Sequence, residues 1–173
     1  MAMDKKTADR FIDSWGEMGT LWGLNSSMAR IHALLIVSEG PLSLGDIAAR
    51  LKISRGNASM SLKELRAWGV IRRTKVPGDR RDYYVTEPDI WKMFFAIVRE
   101  RKRREFDPTL ETVRETLSEA RENEGGGDVE ERLLEMEKLL STMDRMAERF
   151  LEDEDQARSL MGFVAGAFPG KDG

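Results

Sequence analysis

The order of elements between residues 42 and 87 constrains this chain more than any other feature: two short amphipathic helices separated by a tight turn, then a basic hairpin. In LSLGDIAARLKISRGNASMSLKELRAWGVI, Ser43 is placed to cap a helix that runs to Leu51 with Leu44, Ile47, Ala48 and Leu51 on its inner face. Ala48 is small where two helices must cross closely. Ser54 offers its side-chain oxygen to the free N–H groups of a second helix, which extends to Trp68 and stops at Gly69 in the left-handed conformation. The segment RRTKVPGDRRDYYVTE then reads as strand, Pro77-Gly78-Asp79 turn and returning strand.

The spacing predicts a mainly α fold: a winged helix-turn-helix with a small β-hairpin wing, joined to a long helical dimerisation arm. The boundaries read as 1–23 for a leading helix, 24–87 for the winged module and 88–173 for the arm. Phe11, Ile12, Trp15, Met18, Leu21 and Trp22 make the leading helix amphipathic. Ser26 or Ser27 is the expected cap of the next helix, whose Met28, Ile31, Leu34 and Leu35 leave it apolar nearly all round.

Charge is distributed in step with these boundaries. The chain carries a net charge of -3, yet residues 24–87 hold 11 cations against 6 acids, and the excess narrows to residues 50–81, where ten Lys and Arg face only Glu64 and Asp79. A local excess of that size is a footprint for a polyanion.

The second helix has two distinct sides. Ala58, Leu62 and Leu65 point inward by their spacing, whereas Arg55, Ser59, Lys63 and Arg66 line another side with Asn57 and Met60 beside it. Those are the chemistries that read a DNA major groove: arginine bidentate to guanine, asparagine to adenine, adaptable hydroxyls, and a methionine able to touch a thymine methyl. Gly56 weakens the first turn, which suits either close backbone approach to a phosphate or relief of crowding against the preceding helix. Lys75, Arg80 and Arg81 flank the wing tip, where an adjacent phosphate strand or minor groove would be met. Double-stranded DNA is the partner these residues imply; a protein-binding winged helix is the alternative, and it would favour an apolar or mixed surface.

Other classes are excluded by residue type. With no cysteine and one histidine, His32 in the apolar run ARIHALLIV, the chain lacks thiol nucleophiles, Cys-based zinc sites and serine-histidine triads. No phosphate loop appears, since Gly125-Gly126-Gly127 lacks the following Lys-Ser or Lys-Thr. No enzyme activity and no cofactor is expected. The longest apolar run is far below the roughly 20 residues that span a bilayer, and MAMDKKTADR has no signal-peptide core, so a cytoplasmic location without membrane contact is the reading.

The run ARIHALL, the helix ISRGNASMSLKELRAWGVIRR, the wing VPGDRRDYY and the following WKMFFAIVRERKRRE together resemble MarR-type transcriptional regulators, in particular the GbsR-like branch associated with osmoprotectant uptake and synthesis. The resemblance covers about residues 10–120. It implies that Ser54, Arg55, Asn57, Ser59, Met60 and Lys63 enter the major groove and that Arg80 and Arg81 contact the flanking minor groove. It also implies a small-molecule effector; Trp15, Trp22 and Trp91 are the rings that could cage a quaternary ammonium.

Beyond the wing, Ile90, Phe94, Ile97 and Val98 form an apolar stripe that ends in RERKRRE at 99–105, either a solvated face or an extension of the DNA surface. Asp107-Pro108 predicts a cap followed by a restarted or kinked helix, and the three glycines permit reversal. Val129, Leu133, Met136, Leu140, Met143, Ala147 and Phe150 then keep heptad spacing, a stripe that must hide on a partner helix or a second subunit. Leu160, Met161, Phe163, Val164 and Phe168 read as a short helix docking onto that assembly. The whole predicts a homodimer with two reading heads about one DNA turn apart, roughly 34–36 Å.

Overall fold

The computed structural model describes residues 4–21, 23–122 and 127–167 and divides into two compact units, Met1–Ala96 and Ile97–Gly173. The division falls inside helix α5 (Ile90–Arg101), later than the 87/88 boundary read from charge and spacing. Trp22, Gly125, Gly126 and Phe168, all named above, lie outside the described residues.

In the first unit α1 (Lys5–Leu21) packs along α2 (Ser26–Ile36). Two glycines permit the approach: a Cβ on Gly19 would sit 2.5 Å from Ala29 Cβ, and one on Gly16 would sit 2.5 Å from the Arg30 side chain. Asn25, rather than Ser26 or Ser27, caps α2, its Oδ1 accepting from the amides of Ser27 and Met28 at 2.9 and 3.3 Å. That frees the Ser27 hydroxyl for another partner. Helix α2 is buried on most sides through Met28, Ala29, Ile31, His32, Ala33, Leu34 and Leu35, and forms the platform of the unit.

Helices α3 (Leu44–Leu51) and α4 (Arg55–Ala67) form the helix-turn-helix. Ser43 and Asp46 close a reciprocal capping box on α3, and the turn passes through Lys52 at φ 56. Ser54 Oγ accepts from the Asn57 amide at 3.1 Å, and Gly69 at φ 77 ends the second helix. The wing strands β2 (Ile71–Thr74) and β3 (Tyr83–Thr86) pair antiparallel from Ile71 opposite Thr86 to Thr74 opposite Tyr83. A third strand, β1 (Leu42–Ser43), which the spacing did not suggest, pairs with β3 on its other edge, giving the order β1-β3-β2. Two residues are too few to show a period.

The second unit is helical. Helix α5 continues without a stop into a π-helical stretch, Lys102–Phe106, and then α6 (Asp107–Glu122). Asp107 is itself helical at φ -59, ψ -45, so it does not cap a new helix as expected. Its N–H instead bonds Lys102 O; the widened turn accommodates Pro108, which has no N–H to give. Helix α6 packs with α7 (Gly127–Glu152) through the buried Leu110, Val113 and Leu117.

A ladder of ion pairs sets their antiparallel register: Arg121 with Glu130 at 3.0 Å, Arg114 with Glu137 at 3.4 Å, and Lys102 with Asp144 at 2.7 Å. The acids lie seven residues apart, as the heptad stripe does. Leu133, Leu140 and Ala147 are half-buried, while Val129, Met136 and Met143 on the same stripe stay exposed. Helix α8 (Glu154–Ala167) forms where the last apolar cluster was read; in the single chain Leu160, Phe163 and Val164 are exposed and Ala157 is buried.

Candidate nucleic-acid interface

Apolar burial fixes helix α4 from below. Ala58, Leu62 and Leu65 are 0–2% exposed against the module core, and the helix packs on α2 and α3. The Asn57 amide adds a polar bolt to this packing. Its Nδ2 donates to Ser27 Oγ at 2.9 Å and its Oδ1 accepts from the Ser61 hydroxyl at 3.3 Å. Asn57 therefore faces α2, not outward with the residues predicted to read bases. Its neighbour Ser27 was freed for this contact by the cap on Asn25.

The opposite side of α4 is open. Ser54, Arg55, Gly56, Ser59, Met60, Lys63 and Arg66 are all exposed, Met60 to 70%. Among the described residues Arg55, Lys63 and Arg66 have no hydrogen-bonding or ion-pair partner, so their charge faces outward uncompensated. The Arg55 guanidinium comes within 3.7 Å of the position a Cβ on Gly45 would take, over the first turn of α3. A Cβ on Gly56 would meet nothing nearer than Ser54 Oγ at 4.0 Å. Crowding thus does not explain this glycine, and the space above it is available to another molecule.

The wing is organised differently. Val76-Pro77-Gly78-Asp79 is a type II turn, with proline at the second position, Gly78 at φ 83 and the Asp79 amide bonded to Val76 O at 3.1 Å. Arg81 does not project from its tip. Nε and Nη2 donate to Asp79 Oδ2 at 2.9 and 2.7 Å, Nη2 reaches Tyr83 Oη at 2.6 Å, and the guanidinium lies over the Tyr83 ring at 5.2 Å. Nη1 reaches Ser43 Oγ at 3.4 Å, tying the wing to the cap of α3. The guanidinium and the Arg81 amide hold the Asp79 carboxyl far below the ordinary carboxylate range, with help from the Tyr83 hydroxyl. That same hydrogen bond pushes the Tyr83 hydroxyl up.

Asp82, just ahead of β3, braces the hairpin in the same way. It pairs with Lys75 at 2.6 Å and Arg73 at 3.0 Å, and Lys75 chiefly lowers its pKa. Lys75 also donates to Arg80 O at 3.4 Å. Among the described residues, Arg80 is the wing cation whose own side chain has no partner. The expected trio of Lys75, Arg80 and Arg81 is therefore one outward charge and two that brace the hairpin. Asp79, Asp82, Ser43 and Tyr83 complete that brace and went unnoticed in the sequence; an aspartate two residues before an arginine across a turn was the available sign.

The basic run after the wing is also occupied. Glu100 takes Arg103 at 2.6 Å and Arg104; Arg101 meets Glu105 at 3.5 Å, Arg99 meets Glu154, and Lys102 is shared by Asp107 and Asp144. The two carboxylates raise the Lys102 pKa. This run reads as an ion-paired surface.

Among the described residues, Trp15 and Trp91 belong to separate groups of rings. Trp15 stacks with Phe11 at 5.5 Å and meets the edge of His32 at 6.3 Å, while Trp91 meets Phe94 at 6.3 Å and Phe95 at 6.4 Å. His32 is buried, its Nε2 has no hydrogen-bond partner among the described residues, and burial lowers its pKa from 6.5 to about 4. It is a neutral core side chain, as its apolar setting in the sequence suggested. Among the described residues no helix is long and apolar enough to cross a membrane, and no group of acids and histidine could hold a metal ion.

A sequence profile for the MarR family matches residues 22–82, the stretch that contains the helix-turn-helix and most of the wing. Over that stretch, about a third of the chain, the protein resembles the MarR family. The HTH-type transcriptional repressor GbsR of Bacillus subtilis (strain 168) is 23% identical over 115 residues, which cover 66% of this chain and 63% of that protein. The match thus spans less than two thirds of this relative's length. A crystal structure described as that of a transcriptional regulator is similar over more of the chain, with a TM-score of 0.69 and 26% identity, covering 87% of this chain and 99% of the other. These relatives are transcriptional regulators and not enzymes.

Proposed function

We propose that this chain is a MarR-type regulator: a cytoplasmic, homodimeric, sequence-specific binder of double-stranded DNA that regulates transcription, as a repressor by analogy with the relative from Bacillus subtilis. The observation that carries the reading is the outward face of α4: three unpartnered cations interleaved with Ser59 and Met60 on a rigidly packed helix, beside a wing with Arg80 at its tip. Arg55, Ser59, Met60, Lys63 and Arg66 read or approach the major groove. Ser54 and Gly56 bring the helix N-terminus to a phosphate. Arg80 reaches the flanking backbone, while Lys75 and Arg81 hold the wing at the right height for it, and Asn57 holds α4 on α2. A protein-binding winged helix would not need so many free cations on one face.

Selection of bound fragments from random duplex DNA tests this directly. The expected product is a pseudo-palindrome with half-sites roughly 34–36 Å apart, bound more weakly as salt rises. A chain that ignores duplex DNA even in dilute buffer would overturn the proposal. Control by a small quaternary ammonium osmoprotectant belongs to the same proposal, supported by the half-buried Trp15 and the exposed Trp91, each beside other rings. Titrating choline and glycine betaine while following tryptophan fluorescence and operator affinity tests it; no saturable change in either signal removes the effector.

A further inference from the structure

The cationic face of α4 holds a long apolar side chain that nothing covers. Met60 is 70% exposed, the largest exposure of any methionine among the described residues. The other described methionines of the first unit are withdrawn: Met18 is half-buried, and Met28 and Met93 are 2% and 6% exposed. A helical side chain leans toward the N-terminus over the residues three and four positions back. For Met60 these are Asn57, which is turned toward α2, and Gly56, which has no side chain. The previous turn therefore does not shield the thioether, and a Cβ on Gly56 would still meet nothing nearer than Ser54 Oγ. Met60 stands open on the surface that carries Arg55, Ser59, Lys63 and Arg66.

We infer that Met60 is a modification site: oxidation of its sulfur to the sulfoxide by a peroxide switches off recognition of the operator. The inference rests on the DNA reading proposed above and adds a redox control to it. The chain has no cysteine, so no thiol of its own competes for the oxidant. In the step, the sulfur lone pair attacks one oxygen of hydrogen peroxide, and the S–O bond forms as the O–O bond breaks. The departing hydroxide takes the proton of the transferred oxygen and leaves as water. Sulfur loses two electrons and the peroxide gains them. A thiol-dependent sulfoxide reductase reverses the change, its dithiol supplying two electrons and two protons while the oxygen leaves as water.

The consequence for DNA follows from polarity, not charge. The thioether is an apolar group suited to a thymine methyl, whereas the sulfoxide oxygen is a hydrogen-bond acceptor that must shed water to enter the groove and finds no donor in a methyl group. Because no charge is added, the phosphate contacts keep their number. Oxidation removes discrimination and spares general affinity.

The full chain is treated with hydrogen peroxide and followed by peptide mass spectrometry, beside competition mobility shifts on selected operator and random duplex. Met60 should gain one oxygen at least about ten times faster than Met28 or Met93. Operator affinity should fall about tenfold in step with that gain, the size of one lost base contact, while affinity for random duplex and the salt slope hold. Sulfoxide reductase with dithiothreitol should restore the operator affinity. Met136, Met143 and Met146 on α7 are also exposed, so variants apportion the effect, each compared with itself before and after peroxide. The triple variant Met136→Leu, Met143→Leu, Met146→Leu should keep the loss, and Met60→Leu should show none, whatever affinity it starts from. An equal loss in Met60→Leu places the sensitive site elsewhere and overturns the switch. So does a fully oxidised Met60 with operator affinity intact, or a Met60 oxidised no faster than the buried pair. An untreated chain that ignores duplex DNA refutes the proposed function and the switch with it, whereas one that binds its operator and keeps it through oxidation refutes the switch alone.

Discussion

Helix α4 and the wing both carry basic residues, yet only in the wing are those residues part of what holds the element in shape. Apolar burial anchors α4: Ala58, Leu62 and Leu65 are closed off in the core, and the tie from Asn57 to Ser27 involves no charge. Its cations are consequently free. The wing strands bury Ile71, Tyr83 and Tyr84 at their base, and the rest of the hairpin is shaped by ion pairs and hydrogen bonds among Arg73, Lys75, Asp79, Arg81, Asp82 and Tyr83. Its cations are consequently occupied, apart from Arg80. A count of basic residues therefore overstates the wing and describes the helix correctly.

The sharpest way to break this contrast is to remove the apolar anchor. Leu62→Ala, at a site 1% exposed, should cost about 2–5 kcal/mol of stability in urea, with little dependence on salt. A loss below about 1 kcal/mol would show that α4 is not held by burial. The platform beneath it has an acid-sensitive point in His32. Because its folded pKa is about 4 and its unfolded value 6.5, the unfolded chain takes up the proton first as pH falls. Stability should thus decline between pH 6.5 and 4, by on the order of 3 kcal/mol in all, and be fully present above that window. His32→Leu should flatten that part of the pH profile in thermal or urea unfolding.

Arg55→Ala should remove about 1–3 kcal/mol of the preference for the operator over random DNA without affecting the fold, as read in competition mobility shifts. An equal loss on both DNAs would reassign Arg55 to the backbone. Gly56→Ala separates folding from binding on the same turn. In the free space around it, alanine should raise stability by up to about 1 kcal/mol while weakening DNA affinity, provided a phosphate occupies that space. The smallest effect belongs to the wing. Arg80→Ala should lower the slope of log affinity against log salt by about one and leave specificity unchanged. Arg81→Ala, in contrast, should speed amide exchange in residues 79–83, because it unties Asp79, Tyr83 and Ser43 together.

Helix existence, the two serine caps at Ser43 and Ser54, the stop at Gly69 and the inward trio on α4 were all legible in the sequence. Each depends on residues within one or two turns of one another. The direction of Asn57 was not legible, because it is decided by Ser27, thirty residues earlier and itself freed by an unforeseen cap. Arg81 and the basic run 99–104 show a related limit: composition shows that a cation is present and not whether a carboxylate satisfies it. The π-helical stretch escaped because proline chemistry predicts a disturbance, while continuation or restart depends on what the helix packs against.

By itself the sequence determined local periodicity, capping and charge segregation, since these follow from backbone geometry and solvation over short distances. It therefore determined the helix-turn-helix, the hairpin and the basic side of α4. Only the tertiary structure decided which charges remain for a partner and which apolar stripe remains uncovered. Ion pairing and burial join groups far apart in the chain, such as Lys102 with Asp144 and Ser43 with Arg81, and no local pattern encodes whether those groups meet.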